Sequence, residues 1–304
     1  MHIPKMIRDL HFAGSAIRIE AIGKTAQDLI IFLFKGLPTG GPAQPHVSFY
    51  LSSNLDSEHI HLAIKKIPGI DFPIRMQPPA PFRNLVEFEG PANTIASQLL
   101  AYVDFHLADR SDSGLYLHSA CLETDGKAVL MPGSTGQGKT TLTYFLSKNG
   151  FRYMSDEAAF IPLGSLECIG FPRPIHLKPN GVCEPETSQT THILEIEIAT
   201  DQSFGQLLDY EFLNPVNIGS RFPVKSIIFP AYQEGRKLSL EKLSTINATF
   251  ELAQCLINAR NLVYNGFPEI QRLTKSVPCY RMEYADTSQV KNLLRENNLF
   301  SDVD

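Results

Sequence analysis

The chain has 304 residues, of which 43% are hydrophobic and 19% charged, and its formal net charge is −5 at pH 7. This composition is sufficient for a sizeable hydrophobic core and excludes a wholly disordered chain. The acidic balance argues against non-specific nucleic-acid binding, which needs a basic surface. At about 150 residues per domain, the length predicts roughly two domains.

The sequence contains no segment that is predicted to span a membrane. Its longest strongly apolar run is residues 29–34, whereas a spanning helix needs about 20 residues. The N-terminus lacks the pattern of a secretory signal. Five cysteines are scattered without a C-x-x-C pair, which is typical of reduced thiols and argues against a disulfide framework or a zinc knuckle. We therefore expect a cytoplasmic protein.

Residues 1–92 are predicted to form a small N-terminal α+β module. Three short segments in it are strand-like in alternation or composition: 16–21, 47–51 and 85–88. Pro- and Gly-rich stretches at 36–45 and 73–82 lie between them, and no helix could cross these stretches. No chemical motif falls in this module, so its role stays open, with selection of an acceptor as one hypothesis.

Residues 93–304 are predicted to form the larger, C-terminal domain. It begins with a helix at 93–108 whose apolar residues share one face: Ile95, Leu99, Val103 and Leu107. Strand-like runs at 115–123 and 127–131 then flank an Asp-Gly pair, which is typical of a tight hairpin turn. The sequence thus predicts an antiparallel hairpin whose second strand leads into a chemical motif.

That motif is a phosphate-binding loop at residues 133–140, which fit G-x-x-x-x-G-K-[ST] between a strand and a helix predicted at 140–148. Glycines let backbone N–H groups point at phosphate oxygens, the lysine reaches the β- and γ-phosphates, and the threonine hydroxyl completes a Mg²⁺ shell. The alternative is a Gly-rich turn that only starts a helix. The residues predicted to hold ATP here are Gly133, Ser134, Thr135, Gly136, Gln137, Gly138, Lys139, Thr140 and Thr141.

The next predicted strand, residues 151–155, is followed directly by an acidic pair, Asp156-Glu157. Asp156 lies 17 residues after Lys139 in the chain. A carboxylate beside a phosphate loop can hold Mg²⁺ or accept a proton from an attacking hydroxyl. The alternative is a solvated acidic turn between strands. Both carboxylates are therefore candidate functional residues.

His118 is predicted to lie beside the phosphate loop. With the Asp-Gly pair as a two-residue turn, Thr124 pairs with Lys127 and, counting back, His118 pairs with Gly133, the first glycine of the loop. An imidazole there can tune the pKa of a nearby carboxylate or contact phosphate. A slip of one residue would turn the side chain to the other face. The alternative to a functional role is a structural histidine.

The ordered set of residues 117–120, 133–140 and 155–157 resembles the C-terminal catalytic domain of the bacterial HPr kinase/phosphorylase family. In that family a His-containing strand precedes a G-x-S-G-x-G-K-S loop, and an Asp-Asp pair ends the following strand. The match covers about a fifth of the chain, residues 115–178. The resemblance implies a phosphoenolpyruvate carboxykinase-like P-loop fold, an α/β fold with a largely antiparallel sheet.

The resemblance also implies a role for each matching residue. Lys139 and Thr140 would bind phosphate and Mg²⁺. Asp156 would deprotonate the acceptor hydroxyl, close to the metal, with His118 as its electrostatic partner. Glu157 stands in place of the second Asp and would be a Mg²⁺ ligand.

This chain departs from the family pattern in two places. Thr141 stands where the family usually has Glu, and the later Gly-rich signature associated with dephosphorylation is missing from the sequence. Both departures weigh against the reverse, phosphorylase reaction. With these departures, the sequence resembles divergent HPr-kinase-like proteins of about this length, some of which are encoded with lasso-peptide biosynthesis. Those proteins are similar to kinases that phosphorylate a precursor peptide on serine.

Cations that follow the acidic pair are further candidates for phosphate contacts. Arg173 and Lys178 lie in a Pro-stiffened segment, and a guanidinium can bind phosphate bidentately. Arg221 and Lys225 are candidates of the same kind. For all four, the alternative is a surface cation without a ligand. Helical spacing also predicts two later helices, at 249–259 and 288–297.

These patterns together predict an enzyme, an ATP- and Mg²⁺-dependent kinase that phosphorylates a serine of a peptide or small protein. Two alternatives stay open: a kinase of a small molecule such as free serine, and a nucleotide-binding regulatory protein with little turnover. We expect neither a nucleic-acid nor a membrane partner, and a homo-oligomer is left open. The motif does not identify the acceptor, because specificity lies in surfaces outside it.

Overall fold

The structure is a computed structural model that describes residues 4–53, 59–67, 86–177, 193–198 and 203–299. Over these ranges the chain is a mixed α/β protein with three β-sheets. None of the helices in this part of the chain is both long and apolar enough to cross a membrane.

The first sheet is built from the N-terminal part of the chain. Its strands lie side by side in chain order: β1 (Met6–Phe12), β2 (Ser15–Ile22), β3 (Val47–Ser53), β4 (His59–Lys66) and β5 (Val86–Pro91). Only β2 and β3 run parallel, because helix α1 (Lys24–Phe34) connects them as a crossover. Strands β2, β3 and β5 coincide with the three predicted segments over the described residues and extend beyond them, while Leu85 of the third segment lies outside the described residues.

Helix α2 (Ala92–Asp109) follows the first sheet directly and packs against it. The four apolar residues predicted to share one face are all buried. The core beneath α2 also contains side chains from later in the chain, and the Phe12 and Phe171 rings stack at 5.2 Å between centroids. The first sheet and the rest of the chain therefore share one hydrophobic core.

The second sheet has eight strands, with seven in the order β10-β9-β6-β7-β14-β16-β15 and β8 paired to β6. The strands are β6 (Gly114–Thr124), β7 (Lys127–Pro132), β8 (Arg152–Ser155), β9 (Ala158–Pro162), β10 (Glu167–Gly170), β14 (Phe222–Tyr232), β15 (Ser239–Lys242) and β16 (Cys279–Tyr284). Most pairings are antiparallel, but β14 runs parallel to both β7 and β16. The C-terminal ends of these three strands meet at one edge of the sheet. A small third sheet contains β11 (Ile175–Leu177), β12 (Ile193–Ile198) and β13 (Ser203–Leu208).

The predicted hairpin is confirmed, and so is its register. Strands β6 and β7 pair from Thr124 opposite Lys127 to Ser119 opposite Pro132. The turn residues Asp125 and Gly126 have φ values of 54° and 71°, the two positive values that a tight type I′ hairpin turn requires. The Gly133 N–H also points back to the His118 carbonyl, at 3.5 Å.

Helices cover both faces of the second sheet. Helices α3 (Lys139–Lys148) and α6 (Thr287–Glu296) contribute to the core on one face, while α4 (Thr245–Gln254) and α5 (Phe267–Ser276) contribute to the core on the other. The prediction of a helix at 249–259 was wrong in its bounds, since α4 starts earlier, with Ser244 as its N-cap, and ends at Gln254. The residues after it instead pair with β6: the His118 N–H donates to the Cys255 carbonyl, and the Ile257 N–H to the Tyr116 carbonyl.

Candidate nucleotide-binding site

The predicted phosphate loop lies at the edge where β7, β14 and β16 end, and it connects β7 to α3. Gly136 and Gly138 have φ values of 90° and 82°, which residues with a Cβ rarely adopt. A Cβ on Gly138 would overlap the Tyr284 hydroxyl and lie 2.8 Å from Tyr232 Cβ. The loop is thus packed tightly against the ends of β14 and β16, and only glycine fits at this position.

The ammonium of Lys139 lies inside the loop. The side chain is buried, and its Nζ donates to the carbonyls of Gly133 at 2.6 Å and Ser134 at 3.1 Å. A third contact, at 3.1 Å, joins Nζ to His118 Nε2. Residues 134–137 of the loop are exposed, so the buried cation lies directly beneath an accessible stretch of backbone.

The first turn of α3 provides further attraction for an anion. The N-terminal N–H groups of a helix lack intrahelical partners and carry partial positive charge. The first turn of α3 contains no acidic residue that would counter this charge. The loop, the N-terminus of α3 and Lys139 are thus arranged as in the phosphate-binding sites of other proteins.

His118 connects the loop to the acidic pair. Its Nε2 faces the Lys139 ammonium, which can only donate, and its Nδ1 lies 3.1 Å from Glu157 Oε1. The hydrogen-bond network therefore assigns the proton to Nδ1, which donates to Glu157, and leaves Nε2 to accept from Lys139. The partner of His118 in the acidic pair is therefore Glu157, whereas the resemblance implied Asp156.

Asp156 lies at the turn between β8 and β9 and is 1% exposed. Its Oδ2 is 3.5 Å from Thr140 Oγ1, on the first turn of α3. Its other oxygen, Oδ1, accepts from the Tyr153 hydroxyl at 3.2 Å. The turn is fixed by Ser155, whose Oγ accepts from the N–H groups of Glu157 and Ala158. One carboxylate oxygen is thus held by the protein and the other faces the loop helix.

Arg173 joins the acidic pair from the segment before β11. Its guanidinium is buried, with Nη2 3.1 Å from Glu157 Oε2 and Nε 3.9 Å from Asp156 Oδ1. The Tyr153 hydroxyl, 2.9 Å from the Arg173 carbonyl, holds the backbone of this segment. In the structure Arg173 therefore pairs with carboxylates, where the sequence predicted a contact with phosphate.

The two neighbouring carboxylates differ in their pKa shifts. Burial raises the pKa of Asp156, and this effect exceeds the opposing effect of the Arg173 guanidinium. For Glu157, burial acts in the same upward direction, but Arg173 and the hydrogen bond from His118 outweigh it and lower the pKa to about 2. Such a separation between adjacent acids is the pattern that gives one of them a proton-accepting role and keeps the other charged.

The site suits a magnesium ion bound through few protein ligands. The Thr140 hydroxyl and Asp156 Oδ2 converge at 3.5 Å, and Mg²⁺ commonly takes one or two protein oxygens together with substrate phosphates and water. Both oxygens of Glu157 already have partners, which makes Glu157 the weaker candidate ligand. Within the described ranges, no group of three His, Cys, Asp or Glu side chains is arranged to hold a metal.

Six predicted site residues are brought together here: His118, Lys139, Thr140, Asp156, Glu157 and Arg173. Thr141 follows on α3 and is half-buried. Lys225 instead binds Asp125 at 3.2 Å, at the hairpin turn and therefore at the opposite end of β7 from the loop. Arg221 is exposed, and Lys178 lies outside the described residues.

Sequence reasoning missed Tyr153, whose hydroxyl contacts both Asp156 and Arg173. The alternation of β8 places Tyr153 on the same face as Ser155, just before the acidic pair, and this was the available signal. It also missed Tyr284, whose hydroxyl donates to the Gly138 carbonyl at 3.1 Å. Tyr284 is distant in sequence, and no local pattern connects it to the loop.

Comparisons with known proteins give only distant structural likeness. No protein-family model matches the chain, and no curated protein matches it. Among solved structures, the chain is similar to an HPr(Ser) kinase/phosphatase from Coxiella burnetii, with 13% sequence identity and a TM-score of 0.31, over 60% of this chain and 96% of that chain. This is a distant structural relationship, and it is no basis for assigning an activity.

Proposed function

We propose that the protein is an ATP- and Mg²⁺-dependent phosphotransferase that phosphorylates a serine hydroxyl of a peptide or small protein. The observation that carries the proposal is the position of Asp156: a buried carboxylate of raised pKa, 3.5 Å from the hydroxyl of Thr140 on the phosphate-loop helix. A nucleotide regulator without turnover has no need of a proton acceptor at this point.

Nucleotide binding is the first part of the proposal. The exposed backbone of residues 134–137 would surround the phosphates. The Lys139 ammonium would exchange its loop carbonyl partners for oxygens of the β- and γ-phosphates. The Thr140 hydroxyl would hold Mg²⁺ with Asp156 close to the metal, and the ion would neutralise charge that develops on the phosphates.

Phosphoryl transfer is the second part. Asp156 takes the proton from the acceptor hydroxyl as that oxygen attacks the γ-phosphorus. The new O–P bond forms while the bond from the γ-phosphorus to the bridging oxygen breaks, and ADP leaves with the electron pair. Glu157 stays ionised and, with His118, fixes the position of Lys139 near the transferred group.

The acceptor class is the third part, and it is supported by the motif resemblance alone. Serine in a peptide, including a lasso-peptide precursor, is the acceptor that this resemblance implies. Free serine would need a narrow pocket beside Asp156, whereas a peptide needs an open groove.

Intact-mass measurement of candidate peptides after incubation with ATP and Mg²⁺ tests the function. We expect a gain of about 80 Da per phosphate.

Asp156→Asn should lower the transfer rate by about 10²- to 10⁴-fold, because it removes the proton acceptor, while nucleotide binding persists. Lys139→Ala should impair both. Lys148→Ala, an exposed lysine on the same helix, is the matched control, and a native transfer rate in either site variant contradicts the proposal.

A further inference from the structure

The two sides of the phosphate loop differ in chemistry. His118 and the acidic pair lie on one side, because β6 is one neighbour of β7 in the sheet and β8 pairs with β6. On the other side β14 and β16 end beside the loop, and their last residues are Tyr232 and Tyr284. The carboxylates and the imidazole are thus on one side of the loop and two aromatic rings on the other.

Tyr232 is held by its backbone and exposed at its ring. Its N–H donates to the Gln137 carbonyl at 3.3 Å, and the next N–H, that of Gln233, donates to the Tyr284 carbonyl at 3.0 Å. The rings of Tyr232 and Tyr284 meet edge to face, with 5.7 Å between centroids. Tyr284 is fully buried, whereas Tyr232 is 44% exposed. The protein therefore presents a fixed aromatic ring to solvent directly beside the loop.

The Tyr232 ring lies on the face of the sheet that carries the loop helix. Ile228 of β14 belongs to the core to which α3 contributes. Side chains two residues apart on a strand share a face, so Tyr232 lies on the same face as Ile228. Because the loop leads into α3, the ring and the N-terminus of this helix lie on the same face at the same edge of the sheet.

The proposed transfer reaction fixes the direction of a triphosphate in the loop. The γ-phosphate has to lie near Asp156 and Lys139, where the acceptor hydroxyl attacks in line. The nucleoside is bonded to the opposite end of the triphosphate, so it leaves the loop away from the acidic pair. That side is formed by β14 and β16, where the Tyr232 ring is exposed.

We propose that the Tyr232 ring is the platform on which the base of the bound nucleoside triphosphate stacks. This inference rests on the proposed nucleotide-dependent function and assigns a base site outside the phosphate loop. Stacking of a base on an aromatic side chain contributes about 5- to 150-fold in affinity. Every base has a π-face, so the platform adds affinity for a nucleoside without choosing between adenine and guanine.

Titration calorimetry with two ligands separates the base from the phosphates. The probes are ATP and inorganic tripolyphosphate, each with Mg²⁺, and the second has three linked phosphates without a nucleoside. Tyr232→Ala keeps both the Cβ beside Gly138 and the N–H that donates to Gln137. We expect its Kd for ATP to rise about tenfold, while its Kd for tripolyphosphate stays within about twofold of the wild-type value.

Two further variants serve as controls. Tyr232→Phe retains the ring and should bind ATP within about twofold of wild type. Tyr50→Ala removes a tyrosine of similar exposure, 38%, from β3 in the first sheet and should change neither Kd. An unchanged Kd for ATP in Tyr232→Ala overturns the proposal. An equal loss for both ligands also overturns it, because the substitution then disturbs the loop, and so does a tenfold loss in Tyr232→Phe.

These binding measurements need no turnover, which separates the base site from the proposed function. If ATP binds through Tyr232 and the wild type transfers no phosphate to peptide, the phosphotransferase function is wrong and the base site stands. If the wild type transfers phosphate and Tyr232→Ala binds ATP as wild type does, the function stands and the base site is wrong. Wild-type protein that binds ATP no more tightly than tripolyphosphate also overturns the base site.

Discussion

Asp156 and Glu157 are adjacent in the chain, yet their environments differ in kind. Glu157 is partly exposed and paired with His118 and Arg173, while Asp156 is almost fully buried and lies 3.9 Å from the Arg173 Nε. The pKa of Glu157 is lowered to about 2, and that of Asp156 is raised. The opposite pKa shifts of these two neighbouring acids therefore follow from burial and from which of them the guanidinium and the imidazole reach.

Glu157→Gln tests this at the level of stability. The lowered pKa means that the ionised form of Glu157 stabilises the fold above its ordinary pKa of 4.5, and that this contribution is lost as the pH falls toward about 2. About a third of the side chain is exposed, so screening reduces the contribution to about 1–2 kcal/mol. Urea denaturation should show this difference from wild type at pH 7 and a smaller one at pH 4. An equal difference at both pH values would contradict the assignment.

At the scale of elements, the phosphate loop is held by strands that are distant in sequence. Tyr232 at the end of β14 donates its N–H to the Gln137 carbonyl at 3.3 Å, and Tyr284 at the end of β16 donates its hydroxyl to the Gly138 carbonyl. The two tyrosine rings meet edge to face at 5.7 Å between centroids. The shape of the loop therefore depends on the parallel arrangement of β7, β14 and β16.

Gly138→Ala should disrupt the loop more than Gly136→Ala. Both glycines have positive φ, but a Cβ at 138 overlaps Tyr284, whereas a Cβ at 136 meets no atom within 4 Å. We expect a loss of about 1 kcal/mol for Gly136→Ala from backbone strain and about 3 kcal/mol for Gly138→Ala from strain plus overlap. Chemical denaturation and binding of a fluorescent ATP analogue measure both effects. Equal losses in the two variants would show that the contact with Tyr284 is not limiting.

At the scale of the whole molecule, one core crosses the predicted boundary at residue 92. The division itself stays a prediction, although the first sheet ends at Pro91. Two buried imidazoles meet across that boundary, His46 from the N-terminal side and His106 from α2, and their rings are 5.9 Å apart. Burial, helped by nearby Arg110 and Lys66, lowers the pKa of His46 to about 4 and that of His106 to about 3.

This pair predicts destabilisation in mild acid. The folded state keeps both imidazoles neutral, while the unfolded chain takes up protons below its ordinary pKa of 6.5. Stability therefore falls as the pH decreases from 6.5 toward 4, by about 1.4 kcal/mol per pH unit for each histidine. His106→Phe should roughly halve this slope in urea denaturation between pH 6.5 and 4.5, while the exposed His61→Gln should leave it unchanged. A wild-type slope in His106→Phe would refute the prediction.

The parts of the molecule that depend on local geometry can be predicted from the order of residues. The Asp-Gly turn sets the register of β6 and β7 and hence the place of His118, and the loop glycines bring Lys139 to the start of a helix. The other features of the site depend on contacts between segments that are distant in the chain. Arg173 pairs with Glu157, and Tyr284 contacts the phosphate loop from β16. Burial and opposite charge act through space, so neither pairing leaves a pattern in the order of residues.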